Sequence, residues 1–220
     1  MPKLDNMQPT ETYVEIAAIL DRSGSMGGKE EDVIGGYNQF IEDQKKVPGK
    51  AKLTTVLFDS EYEFVDEGSD LDGAQRLTPE IYSVRGLTAY YDAMGRTISN
   101  VRSRIAGMSE KDRPHKVIVM VITDGLENVS REFSGERLKG LMGEVKNDGW
   151  EFMFLAAGDE AIDGAKTLGF DCSHVAKYTD SKSGTSMAYG AVSASISRSR
   201  GMIGKSRGFD GIKTEEDVGN

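Results

Sequence analysis

Short, strongly apolar runs alternate along this chain with longer segments whose apolar residues recur every three or four positions. Tyr13 to Leu20 (YVEIAAIL) is apolar almost throughout, the pattern of a strand buried on both faces. From about Glu30 to Lys46, Val33, Ile34, Tyr37, Phe40 and Ile41 fall on one helical face, and Pro48-Gly49 stops the helix. Lys52 to Phe58 (KLTTVLF) predicts a second strand and Tyr62 to Val65 a short third. The link Asp59-Ser60-Glu61 is short enough for those two to pair antiparallel. Residues 66–86 are polar and read as irregular, with a turn of helix near Leu71 to Leu77. Tyr90 to Ile105 carries Tyr91, Met94, Ile98, Val101 and Ile105 on one stripe and predicts a helix. Lys116 to Thr123 (KVIVMVIT) is the strongest strand signal. A helix follows over Ser134 to Asn147, then a strand over Trp150 to Ala156, a helix over Glu160 to Leu168 and a short strand over Ser173 to Lys177. The Ser-, Ala- and Gly-rich stretch 182–200, with Met187, Val192 and Ile196, predicts a helix of small residues.

Strand and helix alternate, so the expected class is α/β: a doubly wound, Rossmann-like sheet, mostly parallel, with one short antiparallel edge strand and helices on both faces. The expected organisation is a flexible arm over 1–11, one domain over 12–200 and a polar, disordered tail over 201–220. The 220 residues suffice for one such domain.

In doubly wound sheets, ligands bind beyond the carboxyl ends of the strands, so the residues there carry the functional signal. The first strand ends in Asp21-Arg22-Ser23-Gly24-Ser25, and the strongest in Thr123-Asp124-Gly125. Between them Gly86-Leu87-Thr88 stands just before a helix. Two carboxylates and three hydroxyls thus meet at one sheet edge. An all-oxygen set suits a hard cation, Mg²⁺ or Mn²⁺, with Ca²⁺ ranked lower, and does not suit zinc.

Asp21, Ser23, Ser25, Thr88 and Asp124, in that order, resemble the metal-ion-dependent adhesion site (MIDAS) of von Willebrand factor A (VWA) domains. The flanking Gly86 to Ala93 (GLTAYYDA) and Ile122 to Gly125 (ITDG) resemble the family as well. The resemblance spans roughly residues 12–200. It implies that Ser23, Ser25 and Thr88 touch the metal directly. Asp21 and Asp124 then hold it mainly through water, with one Asp joining directly in some states. Hydroxyl ligands are neutral, so an ion held this way keeps its charge and an open position for a carboxylate from outside. The expected function is a metal-dependent protein-binding module that captures an Asp or Glu of a protein partner, a second copy of this chain being one candidate. It is not expected to be an enzyme.

Other readings of these residues fare worse. Asp-x-Ser-x-Ser alone is an ordinary turn or helix cap. Gly24 to Lys29 (GSMGGK) fails as a phosphate loop, because its spacing is one short and Glu30 follows the lysine. Ser-Gly-Ser is not a nucleophile elbow. An aspartyl-phosphate enzyme would have a second Asp at position 23. His115 and His174 have no catalytic neighbours in sequence, and Cys172 reads as a buried small residue. Asp59, Asp92 and Glu127 lie near the candidate loops and read more simply as solvated surface carboxylates than as a rim. A Mg²⁺-dependent hydrolase or phosphoryl-transfer enzyme is the first alternative. A scaffold with a purely structural metal is the second.

The net charge of −9 argues against a general nucleic-acid binder. One cysteine permits no internal disulfide, and the polar N-terminus lacks a signal-peptide pattern. No run is apolar long enough to span a bilayer. Length, lone cysteine and N-terminus resemble the intracellular, stand-alone VWA proteins of bacteria and their viruses. That implies the cytoplasm of a bacterial or phage-infected cell, with no membrane partner.

Overall fold

In a computed structural model of the chain, residues 13–124, 126–157, 159–170, 175–178 and 182–201 are described. The arm over 1–11, the tail beyond Gly201, Cys172 and His174 lie outside them. Six strands, β1 (Tyr13–Asp21), β2 (Lys50–Phe58), β3 (Tyr62–Asp70), β4 (Lys116–Thr123), β5 (Glu151–Ala157) and β6 (Val175–Tyr178), form one sheet in the order β3-β2-β1-β4-β5-β6. Every pairing is parallel except β2 with β3.

Among the described residues five α-helices cover the two faces: α1 (Glu30–Lys45), α2 (Tyr90–Ala106), α3 (Gly135–Asn147), α4 (Asp159–Thr167) and α5 (Lys182–Gly201). In β4, Ile118, Met120 and Ile122 belong to the core cluster that includes side chains of α1 and α5, whereas Val117, Val119 and Val121 belong to the one that includes those of α2, α3 and α4. This two-residue alternation with both sets buried is why β4 reads as an unbroken apolar run. Each fully buried Val, Ile or Leu contributes on the order of 1.5–3 kcal/mol. Helix α1 approaches α5 closely at Gly36, where a Cβ would lie 2.4 Å from the Tyr189 ring. Tyr189, Val192 and Ile196 form the buried face of α5, and Met187 is exposed, off the face its spacing suggested.

Strand β3 is not short. It runs nine residues, through a stretch expected to be irregular, with helical structure confined to a single 3-10 turn at Leu71–Gly73. Residues 66–70 lack apolar alternation because the strand lies at the sheet edge and takes its order from backbone bonds to β2. The pairing shifts register between Leu53 and Val56, and near the irregularity Gly68 adopts φ +63° and donates its N–H to the Thr54 hydroxyl at 3.1 Å. Behind it the Arg104 guanidinium is where a Cβ would go, and Arg104 itself pairs with the buried Glu15 at 2.7 Å. Among the described residues no helix is long and apolar enough to cross a membrane.

The strand order reverses between β1 and β4. Leu20 sits opposite Ile122, so Asp21 and Thr123 end neighbouring strands at the topological switch point.

Candidate metal centre

Asp21 closes β1 and is buried. Its Oδ1 accepts the Ser23 N–H at 2.7 Å and its Oδ2 accepts the Thr123 hydroxyl, so one carboxylate ties the ends of β1 and β4 together. The Tyr82 hydroxyl donates to the Asp21 carbonyl at 2.5 Å. Burial raises the Asp21 carboxyl to about 6, with the bonds from Thr123 and Ser23 opposing and the nearby Asp124 charge adding to the rise.

After Asp21 the chain enters a 3-10 turn, Gly24–Met26, anchored by the buried Met26. This turn brings Ser23 and Ser25 to the same side, their hydroxyl oxygens 3.1 Å apart. The Gly24 N–H donates to the Gly86 carbonyl at 3.2 Å, and the Arg85 N–H to the Arg22 carbonyl at 2.8 Å, so the loop bearing Thr88 runs beside the serines. Gly86 makes that approach at φ +68°, with Asp59 and Ser60 against the space a side chain would need. Thr88 is buried and exchanges two bonds with Asn128, its N–H to the Asn128 Oδ1 at 3.0 Å and the Asn128 N–H to its carbonyl at 3.1 Å. Asn128 belongs to the loop that starts at Asp124. Three loops, after β1, before α2 and after β4, therefore meet at one edge, each bearing some of the five expected residues.

Asp124 decides whether a cation fits. Its side chain is 4 % exposed. One oxygen, Oδ2, pairs with the Lys29 ammonium, while Oδ1 is buried and has no hydrogen-bond partner among the described residues. A carboxylate oxygen buried this way is costly unless a positive centre meets it. A carboxylate held by one ammonium, with a second carboxylate and paired hydroxyls on the adjoining loops, is a donor set that suits a hard divalent ion. No cluster of three or more His, Cys, Asp or Glu side chains arranged for a metal occurs among the described residues. A hydroxyl-rich set with two carboxylates falls outside that pattern.

Three carboxylates expected at the solvated surface are instead structural. Asp59 is buried and accepts the Nε–H of Arg22 at 3.1 Å and of Arg85 at 2.7 Å. Arg22, itself buried inside the Asp-x-Ser-x-Ser segment, also donates from Nη1 to Glu63 at 3.0 Å, with its Nη2 2.9 Å from the other carboxylate oxygen. Arg22 and Arg85 hold the Glu63 carboxyl down at about 2. This network clamps the serine loop to the β2–β3 hairpin. Asp92, in the first turn of α2, accepts the N–H groups of Arg131, Glu132 and Phe133 at 2.8–2.9 Å. Glu127 accepts those of Tyr91, Val129 and Ser130 at 2.6–2.9 Å. Together they fold the loop after Asp124 onto α2. A signal for Arg22 was present: an arginine at the end of a buried strand needs an anion. Lys29 could have been found from the charge of Asp21 and Asp124 at neighbouring strand ends. His115 lies at the strand edge, its N–H on the Tyr13 carbonyl at 2.9 Å, far from this site in the sheet.

No family model matches the sequence, and no curated protein does. Solved structures do match in fold. The vWF domain of the type V pili tip protein Mfa5 from Porphyromonas gingivalis aligns over 90% of this chain and 98% of its own, with TM-score 0.62 and 12% identity. This chain has the VWA fold. Manganese-loaded TRAP from Plasmodium vivax aligns at TM-score 0.56 and 17% identity, over 77% of this chain and 69% of that one. Proximal thread matrix protein 1 from the mussel byssus, with a zinc-occupied MIDAS motif, aligns over 86% of this chain at TM-score 0.58 and 16% identity; the VWA-like chain spans 46% of it. The structural neighbours of this VWA-fold chain thus include metal-loaded forms.

Proposed function

We propose that this chain is a metal-dependent protein-binding module without enzymatic activity, in which Ser23, Ser25, Thr88, Asp21 and Asp124 hold one divalent cation, Mg²⁺ or Mn²⁺. The observation that carries the reading is the buried Oδ1 of Asp124, without a hydrogen-bond partner among the described residues, in a site that also presents the paired hydroxyls of Ser23 and Ser25. Ser23, Ser25 and Thr88 supply neutral oxygens, and Asp21 and Asp124 orient them and the intervening water. When bound, the ion supplies a positive centre able to accept a carboxylate oxygen from another molecule. The partner is a protein that offers an Asp or Glu, and a second copy of this acidic chain is one candidate. The large exposed side chains Leu87 and Leu126 stand one residue before Thr88 and two after Asp124. They suit a partner whose carboxylate is flanked by apolar side chains. The metal-loaded neighbours support the cation. The lone Cys172 supports a reducing, cytoplasmic setting.

The test is a pull-down with wild type and Asp21→Ala in parallel, in Mg²⁺ or in chelator, and with a differently tagged copy of the chain among the prey. The expected outcome is a partner retained only by wild type with metal. Retention that survives both the substitution and the chelator refutes the proposal.

A further inference from the structure

Lys29 brings a positive charge to the carboxylate of this site. It stands at the N-cap of α1, where its side chain makes no capping bond. A lysine there is of the wrong sign for a helix N-terminus, whose exposed N–H groups favour acceptors and negative charge. The next three residues, Glu30, Glu31 and Asp32, follow the usual preference. The local rule is therefore broken at a single position. The contact made instead is specific. Gly28, at φ +85°, turns the chain between the serine loop and α1. The Lys29 ammonium then reaches back to Asp124, in an ion pair whose side chains are 14 % and 4 % exposed, and to the Ser25 carbonyl at 3.4 Å. It thus sits between the loops carrying two of the proposed ligands.

We propose that Lys29 sets the metal affinity of this site: its ammonium acts as a tethered cation that holds the Asp124 carboxylate in the metal-free chain and must leave that carboxylate when a divalent ion binds. The inference rests on the metal-site reading above. It has two physical consequences. The metal-free fold keeps Asp124 compensated, because breaking a buried pair from one side leaves an unpaired charge. The incoming ion must also outcompete a charge-assisted contact, which favours a doubly charged ion over a monovalent one.

The experiment is titration calorimetry with MgCl₂, MnCl₂ and KCl on wild type, Lys29→Met, Lys29→Gln and Asp21→Ala, with thermal unfolding of each chain in chelator and in saturating Mn²⁺. Both Lys29 variants are expected to bind Mn²⁺ roughly tenfold or more tightly than wild type, the worth of one hydrogen bond to a charged group. Their unfolding temperature in chelator falls below that of wild type, and Mn²⁺ closes the gap. The methionine keeps the apolar stem and the glutamine keeps polarity, so agreement between them separates charge from packing. Unchanged or weaker Mn²⁺ binding in both, with wild-type binding that Asp21→Ala abolishes, overturns the role of Lys29 and leaves the metal site standing. No binding by any chain overturns both.

Discussion

Asp92→Ala tests how the loop that carries Asp124 is held. The Asp92 carboxylate accepts three backbone N–H groups, from Arg131, Glu132 and Phe133, at 2.8–2.9 Å. Each bond to a charged acceptor is worth about 1.5–3 kcal/mol when the donor is left dry by its loss. Arg131 and Glu132 are exposed residues, so water takes over part of their bonding once the carboxylate is gone. We therefore take about 1 kcal/mol for each bond, or roughly 3 kcal/mol in all. Loss of an acidic residue from the first turn of α2 adds about 0.3–1 kcal/mol. With a urea slope of about 2 kcal/mol per molar, the midpoint moves down by roughly 1.7–2 M. Asp92→Asn, which keeps one carbonyl acceptor, should lose about half as much. Hydrogen exchange at residues 131–133 should quicken in the alanine variant more than exchange in β4, because the loop opens before the sheet does. Metal affinity should fall with it, since Asn128 and Asp124 share that loop. A midpoint shift below about 0.3 M, or unchanged protection of the three amides, would refute the reasoning.

Three further outcomes are expected. Gly36→Ala places a Cβ 2.4 Å from the Tyr189 ring and should destabilise the fold by about 1–3 kcal/mol in urea unfolding; Tyr189→Leu should recover part of that, and strict additivity of the two would refute the contact. Thr123→Val removes the hydroxyl that Asp21 accepts and should weaken Mn²⁺ binding about 10–100-fold in calorimetry with the fold intact, whereas wild-type affinity would show that this bond does not orient Asp21. Leu87→Ser combined with Leu126→Ser should reduce partner retention in the pull-down while calorimetric metal binding stays unchanged; loss of metal binding instead would place the leucines in the site's own structure.

The elements of the fold were readable wherever their order has a local cause. Strands β1, β2, β4 and β5 lie inside a sheet covered on both faces, so burial imprints an apolar run on each. Helices α1 and α2 bury one face, and their apolar residues repeat accordingly. The second half of β3 and the exposed position of Met187 were not readable. An edge strand needs no apolar alternation, and which face of a Ser- and Ala-rich helix turns inward depends on the neighbour it meets, here Gly36 of α1.

The same division runs through the candidate site. Asp21, Ser23, Ser25, Thr88 and Asp124 stood out as oxygen-bearing residues just after a strand or just before a helix in an α/β alternation, and strand ends on a doubly wound sheet converge whatever the intervening loops contain. Their partners were not. Arg22 pairs with Asp59 37 positions away, Asp92 holds residues 39 to 41 positions away, and Lys29 reaches Asp124 across 95. Nothing in the periodicity of either segment announces such a pair. The pairing exists because β1 and β4 lie side by side, which sets their following loops within reach of each other. Composition and pattern placed two carboxylates at the switch point. The assembled sheet buried one of those carboxylates beside a lysine, a juxtaposition that only the side-by-side placement of β1 and β4 creates.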